Sequence, residues 1–144
     1  MFKFKLQQVR EYRAQLEDQA KMALARAQAE LKARQKRVDD LQLELVTQMS
    51  KGYNEGIRTV DERWVQDNYI RRIKEDLEKA QRRLGEAELQ VHHCHSDLMR
   101  KSQNRQLLDK LFEKQRDRYN HEEAQKEQYA LDEIAGIRHQ ADAF

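Results

Sequence analysis

Ser50-Lys51-Gly52-Tyr53-Asn54-Glu55-Gly56 is the one place in 144 residues where helix breakers gather, and its reading decides the fold. Two glycines and an asparagine within five residues raise the cost of staying helical, and the rest of the chain offers no comparable interruption. There is no proline, and Ala, Glu, Lys, Leu, Arg and Gln dominate the remainder. The chain is therefore expected to reverse over about residues 51–61, with one long helix over about 3–50 and a longer one over about 62–139. Asp61 and Glu62 suit the start of the second, because carboxylates favour the positive end of the helix dipole.

On the N-terminal side of this break, steps of three and four lead through Leu6, Val9, Arg13, Leu16, Ala20, Leu24, Ala27, Leu31, Arg34, Val38, Leu41 and Leu45. This is a heptad seam, with a stutter at Leu16-Ala20-Leu24 where two four-residue steps follow each other. On the C-terminal side the steps run from Ile70 and Ile73 through Leu77, Ala80, Leu84, Ala87, Val91, Cys94 and Leu98 to Lys101, Arg105, Leu108 and Phe112. An antiparallel fold-back aligns the two seams when paired residue numbers sum to about 114 or 115. That register sets Leu45 against Ile70, Leu41 against Ile73, Leu31 against Leu84, Ala20 against Cys94, Leu16 against Leu98 and Leu6 against Leu108. It also sets Arg13 against Lys101, a weak point. The expected fold is all-α: an antiparallel coiled-coil hairpin forming a single domain over 1–144, whose second helix overhangs beyond about residue 112. The overhang carries Tyr119, Tyr129, Leu131, Ile134 and Ile137, which suit a partner surface better than a membrane.

Composition limits the chemistry. Charged residues make up 38%, apolar residues another 38%, and mean hydropathy is −1.12, too thin a core to enclose a substrate pocket. Two narrow stripes scarcely offset backbone ordering, so binding or oligomerisation is expected to support the hairpin. Lys plus Arg number 28 against 26 Asp plus Glu, interleaved along the chain, so neither nucleic acid nor an anionic membrane is called for. No stretch has the length and apolarity of a secretion signal or a membrane span, which points to a cytoplasmic protein. The lone Cys94 cannot form an internal disulfide.

His92-His93-Cys94-His95 is the densest set of metal-ligand residue types, but consecutive helical residues diverge by about 100° and Cys94 falls on the seam. No phosphate-binding loop, dinucleotide turn or serine elbow occurs. No catalytic residue, metal or cofactor is expected. The aromatics gather at Phe2, Phe4 and Tyr12, at Tyr53, Trp64 and Tyr69, and at Phe112, Tyr119 and Tyr129, either as interface anchors or as caps on the ends of the coil.

Three stretches carry a resemblance: FKFKLQQVREYR at 2–13, a GI…RW…Y…LEKAQ pattern from Gly56-Ile57 through Arg63-Trp64 to Leu77-Glu78-Lys79-Ala80, and EQYALDEIAGIR at 127–138. In this order and spacing the chain resembles the FliJ family of flagellar type III export proteins. The resemblance implies a non-enzymatic stalk seated in the hexameric flagellar export ATPase, contacting the cytoplasmic domain of the export gate and export chaperones. The location it implies is the cytoplasmic side of the inner membrane, at the flagellar basal body, in the service of motility. It implies an ATPase-ring end formed by Phe2, Phe4, Leu6, Tyr12, Tyr129, Leu131, Asp132, Glu133 and Ile134. It implies a gate-docking side drawn from Val38, Leu41, Leu45, Trp64, Ile73, Leu77 and Ala80, most of which the seam assigns to the hairpin interior. The stalk of a related virulence secretion system and a generic coiled-coil adaptor are the alternatives, and a helical metalloenzyme using His92, His93 and His95 is a third.

Overall fold

A computed structural model of the chain describes residues 1–54 and 59–143, with side chains over 1–51 and 59–142. Two helices account for almost all of it: α1, Gln7–Asn54, of 48 residues, and α2, Val60–Ala143, of 84 residues. They pack against each other as an all-α hairpin, and no strand occurs among the described residues. α1 continues through Ser50 to Asn54, further than the breaker cluster implies, while residues 55–58 of the expected reversal lie outside the described residues.

Both helix starts have a chemical cause. The Gln7 amide donates to the Phe4 carbonyl at 3.2 Å and that of Arg10 to Leu6 at 2.9 Å, so α1 begins six residues into the chain. At α2 the Thr59 hydroxyl oxygen accepts from the Glu62 amide at 3.1 Å, and the Thr59 carbonyl accepts from the Arg63 amide at 3.1 Å. Thr59 is thus the N-cap and Thr59-Val60-Asp61-Glu62 has the pattern of a capping box, which starts the helix at Val60.

The chain divides into two compact units, each built from both helices. In the central unit, Asp18–Met99, the core is Val38, Leu41 and Ala80, with Leu77 and Leu84 packed on it, and Ala20, Ala27, Ile73 and Ala87 are buried besides. Here the side chains follow the sequence register. Gln66 Nε2 donates to the Gln48 carbonyl at 2.9 Å, and the Tyr69 hydroxyl donates to Glu44, pairs whose numbers sum to 114 and 113. No described side chain anywhere is completely sealed from solvent, as two single stripes dictate.

The terminal unit, Met1–Glu17 with Arg100–Phe144, departs from that register by about one helical turn. Arg13 Nη1 donates to the Asn104 carbonyl at 3.1 Å instead of facing Lys101. Phe4 packs edge-on against Phe112, with ring centroids 5.4 Å apart, and Leu6 is left exposed rather than set against Leu108. The cause is electrostatic. The sequence register opposes Arg13 and Lys101, whereas the observed one brings Glu17 to Arg105 and Arg10 to Asp109 at 2.8 Å. The overhang also starts later than expected, because the N-terminal amine donates to the Tyr119 hydroxyl oxygen at 2.9 Å and Phe2 stacks beside that ring at 5.5 Å. From residue 120 to 142 every side chain except half-buried Glu123 is exposed.

Candidate interaction surfaces

Phe2 and Phe4 lie at the chain start, where the segment before α1 lays them across α2. Phe2 meets Phe112 at 5.6 Å and Tyr119 at 5.5 Å, and the Arg10 guanidinium caps the other side of the arrangement, 4.2 Å from the Phe112 centroid. Aromatic pairs in tilted and edge geometry, with a cation over one face, form a compact plug. Phe4 is buried in it and Phe2 half-buried, so of the expected ring-end residues these two make intramolecular contacts. Leu6 and Tyr12 point to solvent.

Beside this plug lies a charged network. Glu17, only 4% exposed, accepts from Arg105 Nε, whose Nη1 donates to Asp109 Oδ2 at 2.5 Å; Asp109 Oδ1 accepts from Arg10 Nε at 2.8 Å. The Glu17 bond, the largest cause, holds the Arg105 guanidinium above its ordinary pKa, with the nearby Asp109 carboxylate adding to the effect. Glu17 lies outside the apolar seam, so periodicity alone does not mark it. The signal available was an acid one position beyond Leu16, on a stretch facing Lys101 and Arg105.

The other ring-end residues lie on the exposed part of α2. Tyr129 (69% exposed), Leu131, Ile134 and Ile137 are all open to solvent, and Asp132 Oδ1 accepts from Gln128 Nε2 at 3.0 Å, with Glu133 exposed beside it. At 100° per residue, Leu131 and Ile134 share a face while Tyr129 points roughly 160° from Leu131. Apolar side chains thus emerge on more than one side of the helix, and the residues are held by turn-to-turn pairs such as Arg118–Glu122 and Lys126–Glu123.

The residues matched to gate docking separate in the central unit. Val38, Leu41, Ile73 and Ala80 are buried in the seam, and Leu45 and Leu77 are half-buried. Trp64 alone is exposed, at 68%, and it lines an open groove with Val65, Asn68, Tyr69, Arg71, Arg72 and Glu75. Glu44 holds the Tyr69 phenol above its ordinary pKa through their hydrogen bond first, then burial and the carboxylate charge.

Among the described residues, no three His, Cys, Asp or Glu side chains converge as a metal site. His92, His93 and His95 are exposed, and half-buried Cys94 accepts from Gln90 Nε2 at 3.5 Å. Among the described residues, no helix is long and apolar enough to cross a membrane.

Fold and surfaces together define a helical-hairpin protein whose second helix carries exposed apolar side chains beyond residue 119 and at Trp64. The model of the flagellar FliJ protein family matches residues 2–143, and the chain belongs to that family. Searches of curated proteins and of solved structures give no match.

Proposed function

We propose that the chain is a non-enzymatic stalk and escort protein of the flagellar export apparatus, acting as a single coiled-coil unit on the cytoplasmic side of the inner membrane. The observation that carries this reading is the family match over essentially the whole chain. Its task is to promote assembly and activity of the hexameric export ATPase, and to couple that ring to the cytoplasmic domain of the export gate and to export chaperones.

Within this reading the two ends of the hairpin divide the labour. The bare helix with Tyr129, Leu131, Asp132, Glu133 and Ile134 inserts in the ATPase ring, because apolar residues on several sides suit a helix surrounded by its partner. Phe2 and Phe4 brace its base, leaving Leu6 and Tyr12 for direct contact. Trp64 is the gate-docking anchor; Val38, Leu41, Leu45, Ile73, Leu77 and Ala80 act behind it by keeping the helices paired.

The test is ATP hydrolysis by the cognate export ATPase. Saturating full chain raises the rate and favours the hexamer, and removal of residues from 124 onward abolishes the effect while the remaining helices persist by circular dichroism. No stimulation by the full chain contradicts the reading.

A further inference from the structure

Within the central unit the two helices border an open cavity of about 200 Å³, lined by Arg34 and Arg37 from α1 and by Asp76, Lys79, Ala80 and Arg83 from α2. Four cations thus meet one carboxylate. Some cations of the chain are neutralised locally, as in Arg82–Glu78 at 3.5 Å and Arg105–Glu17. Of the cations that line it, Arg34 is paired with Glu30 at 2.7 Å. Among the described residues, Arg37, Lys79 and Arg83 have no carboxylate at ion-pair distance. Like charges gathered from both helices repel across the seam, and a bound anion removes that repulsion.

The neighbouring groove sharpens the contrast. It shares Arg34 and Arg83 but adds Glu30 and Glu86, so its charges balance. The larger excess, four cations against one carboxylate, thus falls in the first cavity, where Ala80 contributes only a methyl group to the lining. Arginine presents a planar fork that grips phosphoryl oxygens two at a time, and lysine adds a point charge. No aromatic ring lines the cavity, so nothing there stacks a nucleobase.

From the cation excess, the size and the missing ring, we infer that this cavity binds a small polyphosphate anion, a di- or triphosphate group held by Arg34, Arg37, Lys79 and Arg83. The inference is independent of the export reading. The same phosphoryl chemistry is offered by free pyrophosphate, by a nucleotide and by a phosphoinositide-type headgroup, and the experiment separates them.

Full-length protein is titrated calorimetrically with sodium pyrophosphate at fixed ionic strength, then with ADP and ATP. Vesicles of phosphatidylcholine, with and without a phosphatidylinositol bisphosphate, are tested by co-sedimentation. One site per chain is expected, weakened at least tenfold in Arg37→Gln/Lys79→Gln. Lys32→Gln/Lys36→Gln, which removes the same charge from a different groove, should keep its affinity within twofold. Both double variants alter exposed helical positions, and circular dichroism checks that each stays folded. Pyrophosphate should raise the thermal midpoint of the native chain and not that of Arg37→Gln/Lys79→Gln. Whichever probe binds with this variant pattern supports the site and names the ligand's source. Absence of saturable binding with every probe, or equal weakening in both double variants, overturns it.

Discussion

Glu17 is the residue on which the terminal unit turns. A carboxylate this buried is tolerated because Arg105 neutralises it, and Arg105 is shared with Asp109, which in turn holds Arg10. Glu17→Ala leaves Arg105 short of its main partner and should cost about 1–3 kcal/mol in urea unfolding. Replacing both members, Glu17→Leu with Arg105→Leu, should recover most of that loss, since a packed apolar pair avoids the desolvation penalty. With the Arg105 pKa raised, its contribution is complete below the ordinary guanidinium range and is lost only above it, so the pair stays charged on the arginine side in any neutral buffer. Tyr69 offers a second measurement. Its folded pKa is raised, so the bond to Glu44 stabilises fully below the ordinary phenol value of about 10 and is lost as pH climbs through the raised one. Absorbance titration at alkaline pH should show one tyrosine ionising late, and Glu44→Gln should bring it back towards the ordinary range.

At the scale of the helices, the register distinguishes what packing alone dictates from what charge decides. In the terminal unit, cysteines replacing Phe4 and Phe112 in a Cys94→Ser background should join readily with a short bismaleimide, and cysteines replacing Leu6 and Leu108 should not; the reverse preference would restore the pure heptad register. The two helices, their antiparallel sense and the pairing near the turn were legible, because Val38, Leu41, Ile73 and Ala80 recur at three- and four-residue steps. The shift in the terminal unit was not: the weak point at Arg13 and Lys101 was visible, but apolar periodicity does not reveal the alternative pairs Glu17–Arg105 and Arg10–Asp109. The start of α2 was written in Thr59-Val60-Asp61-Glu62, a capping pattern overshadowed by the acidic pair inside it. Of the surfaces, exposed Trp64 and the row from Tyr129 to Ile137 could be read from sequence. The aromatic plug matches the reading of Phe2, Phe4, Phe112 and Tyr119 as caps on the end of the coil, but its pairings carry no sequence signal, because Phe2 and Phe4 precede the helix and have no helical phase.

For the molecule as a whole, the proposed function requires that α1 pair with α2 of the same chain, leaving the exposed end of α2 for the proposed partner. Paired spin labels measure this directly, at Gln15 and Gln103 for the terminal unit and at Lys36 and Arg82 for the central one, all at exposed positions. Helices packed about 8–10 Å apart place such labels roughly 15–30 Å from each other. A chain that failed to double back would put 36 and 82 about 70 Å apart at 1.5 Å per residue. A doubled-back chain gives short distances at both pairs, unchanged when labelled protein is diluted tenfold with unlabelled. Long distances, or short ones that vanish on dilution, would contradict it.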